Sequence, residues 1–291
     1  IGLSSPRTIA IAMIRDSYRG DFMAKILSIV VMFFILVPII APTLGQVLLN
    51  LLDWKAIFHV NLFFGTLVMI WFWKRQPETL KQENRIPFSL SIFITGTKEF
   101  FRYKQAIAFT LMSGFITGSF LVYLSTSQQI FQVQYQLGEL FPYVFASTAF
   151  SVGFSTFTNS QLVIRFGARR ISYIATMAYF AVSFLYVVLF YSGENPPLGI
   201  LMIFFLMQFF AVGFLFGNYR SLAMDPLGHI AGIGSALNGF ISTIMAVPIA
   251  NYIGSFVETS VLPLFIGFTI FGFLSLIVFM YFRHQTSFSK A

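Results

Sequence analysis

The chain has 291 residues, of which 57% are hydrophobic, 19% aromatic and only 10% charged, with a mean hydropathy of +0.81. A soluble domain carries roughly a quarter charged residues, so these values exclude an ordinary soluble protein and point to a chain dominated by membrane spans. The absence of cysteine excludes disulfides and thiolate metal or redox sites, and the net charge of +8 has to be explained by where the cations fall.

A bilayer core about 30 Å thick needs a helix of about 20 apolar residues. Apolar runs bounded by charges or turn residues predict spans near 1–14, 25–50, 56–73, 107–127, 141–163, 171–191, 198–219, 232–253 and 262–282. The first is too short to cross and begins at Ile1 without a basic n-region or cleavage site, so it does not read as a signal peptide. It reads as a span cut in half, and the sequence as N-terminally truncated. The second contains "VPIIAPTLGQ" (37–46). Interior prolines such as Pro38 and Pro42 each cost a soluble helix about 3 kcal/mol. In a membrane helix neighbours re-satisfy the freed carbonyls, while the kink and the small residues Ala41 and Gly45 let a partner helix approach closely.

The longest connection, 74–106, places Phe88, Ile92 and Phe100 near helical spacing beside Lys98, Arg102 and Lys104. That suits a helix lying in the membrane interface, and a solvated linker fits as well. Further on, "SQLVIRFGARR" (160–170) clusters Arg165, Arg169 and Arg170 around Gly167. The stretch "DPLGHIAGIGSALNG" (225–239) sets Gly232 with Ala236, and Ser235 with Gly239 and Thr243, at i, i+4 spacing as a small-residue packing face.

With alternating spans, 16 of the 18 basic residues fall at one membrane face, and the loops of the other face keep only Lys55. The positive-inside rule makes the rich side cytoplasmic, including loop 74–106 and the C-terminus. The charge therefore reads as topology and contact with anionic lipid, with no nucleic acid as partner.

Candidates for a substrate or proton pathway are few. Arg7 is the one ionisable side chain well inside a predicted span, and such a residue is a functional hypothesis by default, although it also suits a snorkelling role. The polar set Gln46, Asn50, Tyr123, Gln128, Gln208, Asn218 and Asn238 lies on predicted spans, where each singly serves more readily as a helix-to-helix hydrogen-bonding group than as a ligand. No paired acids, Ser–His pair, metal-ligand cluster, phosphate loop or ring of charge is visible. No enzyme activity, metal or cofactor is expected.

Four stretches, "MIRDSYRGD" (13–21), "VPIIAPTLGQ", "SQLVIRFGARR" and "DPLGHIAGIGSALNG", resemble the major facilitator superfamily, and within it the bicyclomycin-resistance (Bcr/CflA) type of drug and proton antiporter. The resemblance implies an all-α helical bundle of twelve-span architecture, here about eight complete spans plus half of one. It maps 1–73 to the remainder of the N-terminal half (spans 4–6), 74–106 to the cytoplasmic loop between halves, and 107–291 to the C-terminal six-helix half (spans 7–12). The fifth-span stretch is similar to the antiporter signature G-x-x-x-G-P-x-x-G-G. Pro42 and Gly45 match it, while Val37, Ala41 and Gln46 depart. It also implies that Arg165 and Arg169, in the loop with Gly167 and Arg170, latch a cytoplasmic gate with acids such as Asp225. The expected function is proton-coupled secondary efflux of small drug-like or amphipathic compounds across the inner (plasma) membrane. The partners are then substrate, protons and the lipid bilayer, and the full-length protein is a monomer. The alternatives are a metabolite exporter or importer of the same fold, or an inactive truncated product.

Overall fold

The computed structural model describes residues 44–76 and 90–287, with residues 13, 37 and 41 as isolated points. Arg7, Pro38, Pro42 and Phe88 lie outside the described residues. The chain divides into two compact units, residues 1–88 and 89–291. The described part is all helical, without a strand, and seven of its helices are long and apolar enough to cross a membrane. The protein is a multi-pass membrane protein.

In the first unit residues 44–51 are helical, and α1 (Lys55–Arg75) follows after a short turn. Helix α1 is apolar on every side, as a span should be. It stops where Lys74 and Arg75 close its last turn, favourably placed against the negative end of the helix dipole.

The second unit begins with α2 (Leu90–Phe100), inside the connection read from sequence as an interfacial helix or a linker. It is a helix docked on the bundle. Gly96 meets Ile233, and Phe100 is fully buried beside Ala106 and Leu227, whereas Ile92 stays exposed. Six long helices follow: α3 (Lys104–Gln128), α4 (Phe141–Phe166), α5 (Ala168–Leu189), α6 (Leu198–Met224), α7 (Ala231–Gly254) and α8 (Leu262–Ser287). Helix α3 continues through a π-helical stretch, Gln129–Gln134, beyond the predicted end near 127. Pro142 opens the first turn of α4, where its fixed φ suits a helix start and no hydrogen bond is lost. Gly167 alone joins α4 to α5, at φ 77°, a backbone conformation that glycine adopts without steric cost.

Helix α3 packs against α7, α6 and α8, α4 against α6, and α5 against α6 and α8. Helix α3 approaches α7 closely along Gly114 and Gly118. A Cβ at Gly114 would sit 2.9 Å from Met245 Sδ, and one at Gly118 2.9 Å from Ile249 Cγ2. This is small-xxx-small packing. On α7 the side packed within this unit carries Gly234, Asn238, Ser242 and Ala246, while of the small-residue face read from sequence Gly232, Ala236 and Thr243 are exposed and Ser235 and Gly239 are half-buried. The stripe at i, i+4 spacing is small, but in this unit it faces away from α3.

Candidate functional site

Apolar helices give no hydrophobic reward for associating within lipid, so van der Waals packing and polar contacts decide how they meet. Three layers of polar groups stand out in the second unit. At the arginine-bearing end, Arg165 lies over the Phe166 ring at 5.3 Å, Arg169 is half-buried, and Arg170 and Asp225 are exposed. Gln105 donates to Leu222 O at 3.0 Å, tying the start of α3 to the end of α6. Among the described residues no ion pair joins Asp225 to Arg165, Arg169 or Arg170.

The middle layer is broad, spanning about 20 Å of α3 from Thr110 to Tyr123, and contains most of the buried candidates. Tyr123 is buried, and its hydroxyl shares a 2.7 Å hydrogen bond with Thr148. Its ring lies 4.4 Å from Phe209 and stacks on Phe145 at 5.9 Å. Asn218 and Asn159 exchange two hydrogen bonds of 2.8 and 3.1 Å between α6 and α4. Asn238 donates to Thr110 at 2.8 Å between α7 and α3. These three candidates hold helices together, with their polar atoms already engaged.

Gln208 differs. It is fully buried, and neither its amide nitrogen nor its oxygen has a hydrogen-bond partner. The Tyr179 hydroxyl lies beside Gln208 and Ser119 without meeting hydrogen-bond geometry to either, and Ser119 donates to its own helix at Phe115 O, 2.8 Å. Ser119, Tyr179 and Gln208 come from α3, α5 and α6 and sit near the middle of their helices. Most buried polar atoms in proteins are paired, so an amide without a partner stands out here. The group is uncharged. Among the described residues every Asp and Glu lies at a helix end or in a loop, none at mid-span.

The remaining candidates stand apart from this cluster. Gln128 is exposed and donates to Gln132 at 2.9 Å. Gln46 and Asn50 bond each other at 3.1 Å in the first unit. A Cβ at Gly45 would meet nothing within 4 Å.

The third layer closes the opposite end and was not foreseen from sequence. Asn195 donates to Gln134 Oε1 at 3.0 Å and to Thr259 O at 3.1 Å, and accepts from Val261 N at 2.8 Å. Gln129 and Gln134 donate to Glu258 O at 3.0 and 3.2 Å. The Tyr135 hydroxyl donates to Pro196 O at 2.6 Å, and burial pushes its pKa up to about 12, which keeps it a donor across physiological pH. Three connections, α3–α4, α5–α6 and α7–α8, are thereby clasped together. The π-helical stretch aims two glutamines at one loop, a use of π geometry common at functional ends of helices.

A family model described as Major Facilitator Superfamily matches residues 1–250. The chain is similar to an uncharacterized MFS-type transporter, YdgK, of Bacillus subtilis, 28% identical over 262 residues that make up 87% of this chain and 63% of that one. It is similar to a bicyclomycin resistance protein homolog of Haemophilus influenzae, 27% identical over 59% of this chain and 44% of the relative. It is also similar to the multidrug resistance protein MdtL of Shewanella oneidensis, 22% identical over 82% of this chain and 59% of the relative. The sequence spans between about two fifths and two thirds of these relatives.

Proposed function

The chain belongs to the Major Facilitator Superfamily, and from that premise we propose that it serves proton-coupled efflux of small amphipathic compounds across the inner membrane, by alternating access between two six-helix halves. The observation that carries the reading is the unpartnered Gln208 amide at mid-depth, beside Tyr179 and Ser119 and close to the aromatic group around Tyr123. An uncharged hydrogen-bonding group set near phenyl rings accepts many weakly polar molecules, because aromatic faces supply area and the amide supplies orientation. The names of two relatives, a bicyclomycin resistance protein homolog and a multidrug resistance protein, support this substrate class.

Within this proposal residues 1–73 belong to the first half, 74–106 to the connection and 107–291 to the second half, and the arginine-rich face and the C-terminus are cytoplasmic. Pro38, Ala41, Pro42 and Gly45 form the seam about which the halves rock. Gln46, Asn50 and Gln128 face the pathway, and Arg7 stands in its first half. Arg165, Arg169 and Arg170, with Gly167 as the tight turn and Asp225 as acid, form a latch that engages in one state of the cycle and is open in the other. The coupling proton rides on a group outside the described spans, since no carboxylate lies within them. The working unit is a monomer, without catalytic chemistry of its own.

The test is accumulation of a fluorescent amphipathic drug in cells expressing the protein at the length its gene encodes. Accumulation should fall on expression and recover on adding a protonophore. Accumulation unaffected by expression of a correctly inserted protein rules out drug efflux, and accumulation that falls but ignores the protonophore rules out proton coupling.

A further inference from the structure

Helices α4 and α5 are joined by one residue, Gly167, yet they diverge from that turn and leave a cavity of about 760 Å³ between them, floored by α6. Its lining is apolar, with Phe154, Phe166, Ile174, Met207 and Phe210 prominent, apart from Ser151 and Arg170. The Ser151 hydroxyl is already committed to Leu206 O at 2.7 Å. Arg170 is exposed and forms no ion pair among the described residues. The groove thus offers one unmatched cation at one end and a hydrocarbon-like trough along the rest. Its wall residues Phe154, Ile174 and Met207 are 54%, 55% and 53% exposed, so it opens sideways along membrane-spanning helices.

The dimensions select the occupant. Along α5 the lining runs from Arg170 to Val182, which at 1.5 Å per residue is about 18 Å. That is close to one leaflet, half of a hydrocarbon core about 30 Å thick. A ligand with an anionic head at Arg170 and an acyl chain reaching the bilayer midplane satisfies both ends. A second, smaller groove of about 380 Å³ between α3 and α8 repeats the arrangement, with Ile107, Leu111 and Val278 along it and Lys104 as its one charge. Lys104 and Arg170 each stand at the start of an upward-running helix, hence at the same membrane face. Two apolar grooves ending in a cation at one face match a component that fills that leaflet.

We propose that the α4–α5–α6 groove is a binding site for an anionic phospholipid of the arginine-side leaflet, its phosphate on Arg170 and one acyl chain in the trough. The site depends only on the chain's being embedded in a bilayer, and it stands whether or not the transport reading holds. Neutralisation of Arg170 by an anionic head favours that lipid over a zwitterionic one by about fivefold, the preference expected of one basic side chain near a charged membrane surface. Bound there, the lipid wedges α4 from α5 beside the Gly167 turn, which Arg165 and Arg169 flank.

Brominated lipids quench tryptophan on contact, which gives a direct readout. Trp54, Trp71 and Trp73 are replaced by phenylalanine in the full chain, and a single reporter is introduced as Met207→Trp in the groove or as Phe273→Trp on the exposed side of α8. Vesicles contain brominated phosphatidylglycerol or brominated phosphatidylcholine at equal mole fractions. The groove reporter should favour phosphatidylglycerol about fivefold, the α8 reporter should show no preference, Arg170→Gln should bring the groove ratio to one, and Arg170→Lys should retain it. Equal ratios at the two reporters overturn the proposal even if Arg170→Gln fails to insert. So does a preference that survives Arg170→Gln, and so does a groove reporter shielded from both lipids, which places a protein segment there instead.

Discussion

Replacing Gln208 with leucine separates a site held ready for a ligand from an ordinary structural amide. The side chain is fully buried, and all of its hydrogen-bonding capacity, two donors and a carbonyl, is unmet. Leaving a buried polar group unpaired costs about 1–3 kcal/mol. In a membrane protein the unfolded reference state also finds partners, which moves the figure toward the lower end. Leucine has similar volume and no polar atoms, so Gln208→Leu should stabilise the protein by about 1 kcal/mol, roughly a fivefold gain in the folding equilibrium. The same change removes the one free amide at mid-depth, so transport of a hydrogen-bonding drug should fall while membrane insertion is kept. Stability is measured by denaturant titration in mixed micelles, and transport by drug accumulation normalised to protein amount. A destabilised protein with unchanged transport refutes the reasoning, because it means the amide is satisfied in the native protein and is structural.

Three further outcomes follow from the geometry. At the α3–α7 contact, Gly118→Ala puts a methyl about half an ångström inside ordinary contact with Ile249 and should cost about 1–3 kcal/mol of overpacking. The double variant with Ile249→Ala should recover part of that loss in the same titration, and no recovery contradicts the close approach. In the proposed seam, Gly45→Leu should lower drug-induced proton movement in proteoliposomes or raise passive proton leak, whereas Phe72→Leu on apolar α1 should do neither; equal behaviour of the two removes the seam. For topology, single cysteines at Gly193 and Gln82 in this cysteine-free chain should react with a membrane-impermeant reagent from outside intact cells at 193 only. Labelling at 82 inverts the orientation.

The spans were legible because hydropathy over a bilayer's thickness is a strong signal. All seven spans of the described part begin within a few residues of the apolar runs, as in α6, predicted over 198–219 and observed as Leu198–Met224. Most far ends also fall within about three residues of those runs, and the exceptions are helices that run on past the predicted end, such as α6 to Met224. Helix α3 likewise runs on through Gln129–Gln134. Which side of a helix packs was harder still. Helices α1, α3 and α6 are apolar all round, so periodicity carries no direction. On α7 the small-residue rule selected Gly232 with Ala236, and Ser235 with Gly239 and Thr243, whereas the side packed within this unit carries Gly234, Asn238 and Ser242. The same rule applied to "GFITG" (114–118) does find the contact that forms, and that stretch went unread. At the site, the helix-to-helix reading of the polar residues describes Tyr123, Asn218 and Asn238. The isolation of Gln208 and the Asn195 clasp had no sequence signal, because their surroundings come from segments about thirty residues or more away in the chain.

On the proposed function, this superfamily member moves a small amphipathic compound one way while protons flow the other. That exchange is tested most directly in proteoliposomes holding the protein at the length its gene encodes and a pH-sensitive dye inside. With an imposed pH gradient, adding drug on the side it is exported from should produce proton movement down the gradient and drug movement the other way, both lost in Gln208→Leu. Drug movement that proceeds equally without a pH gradient, or proton movement that ignores the drug, contradicts the account.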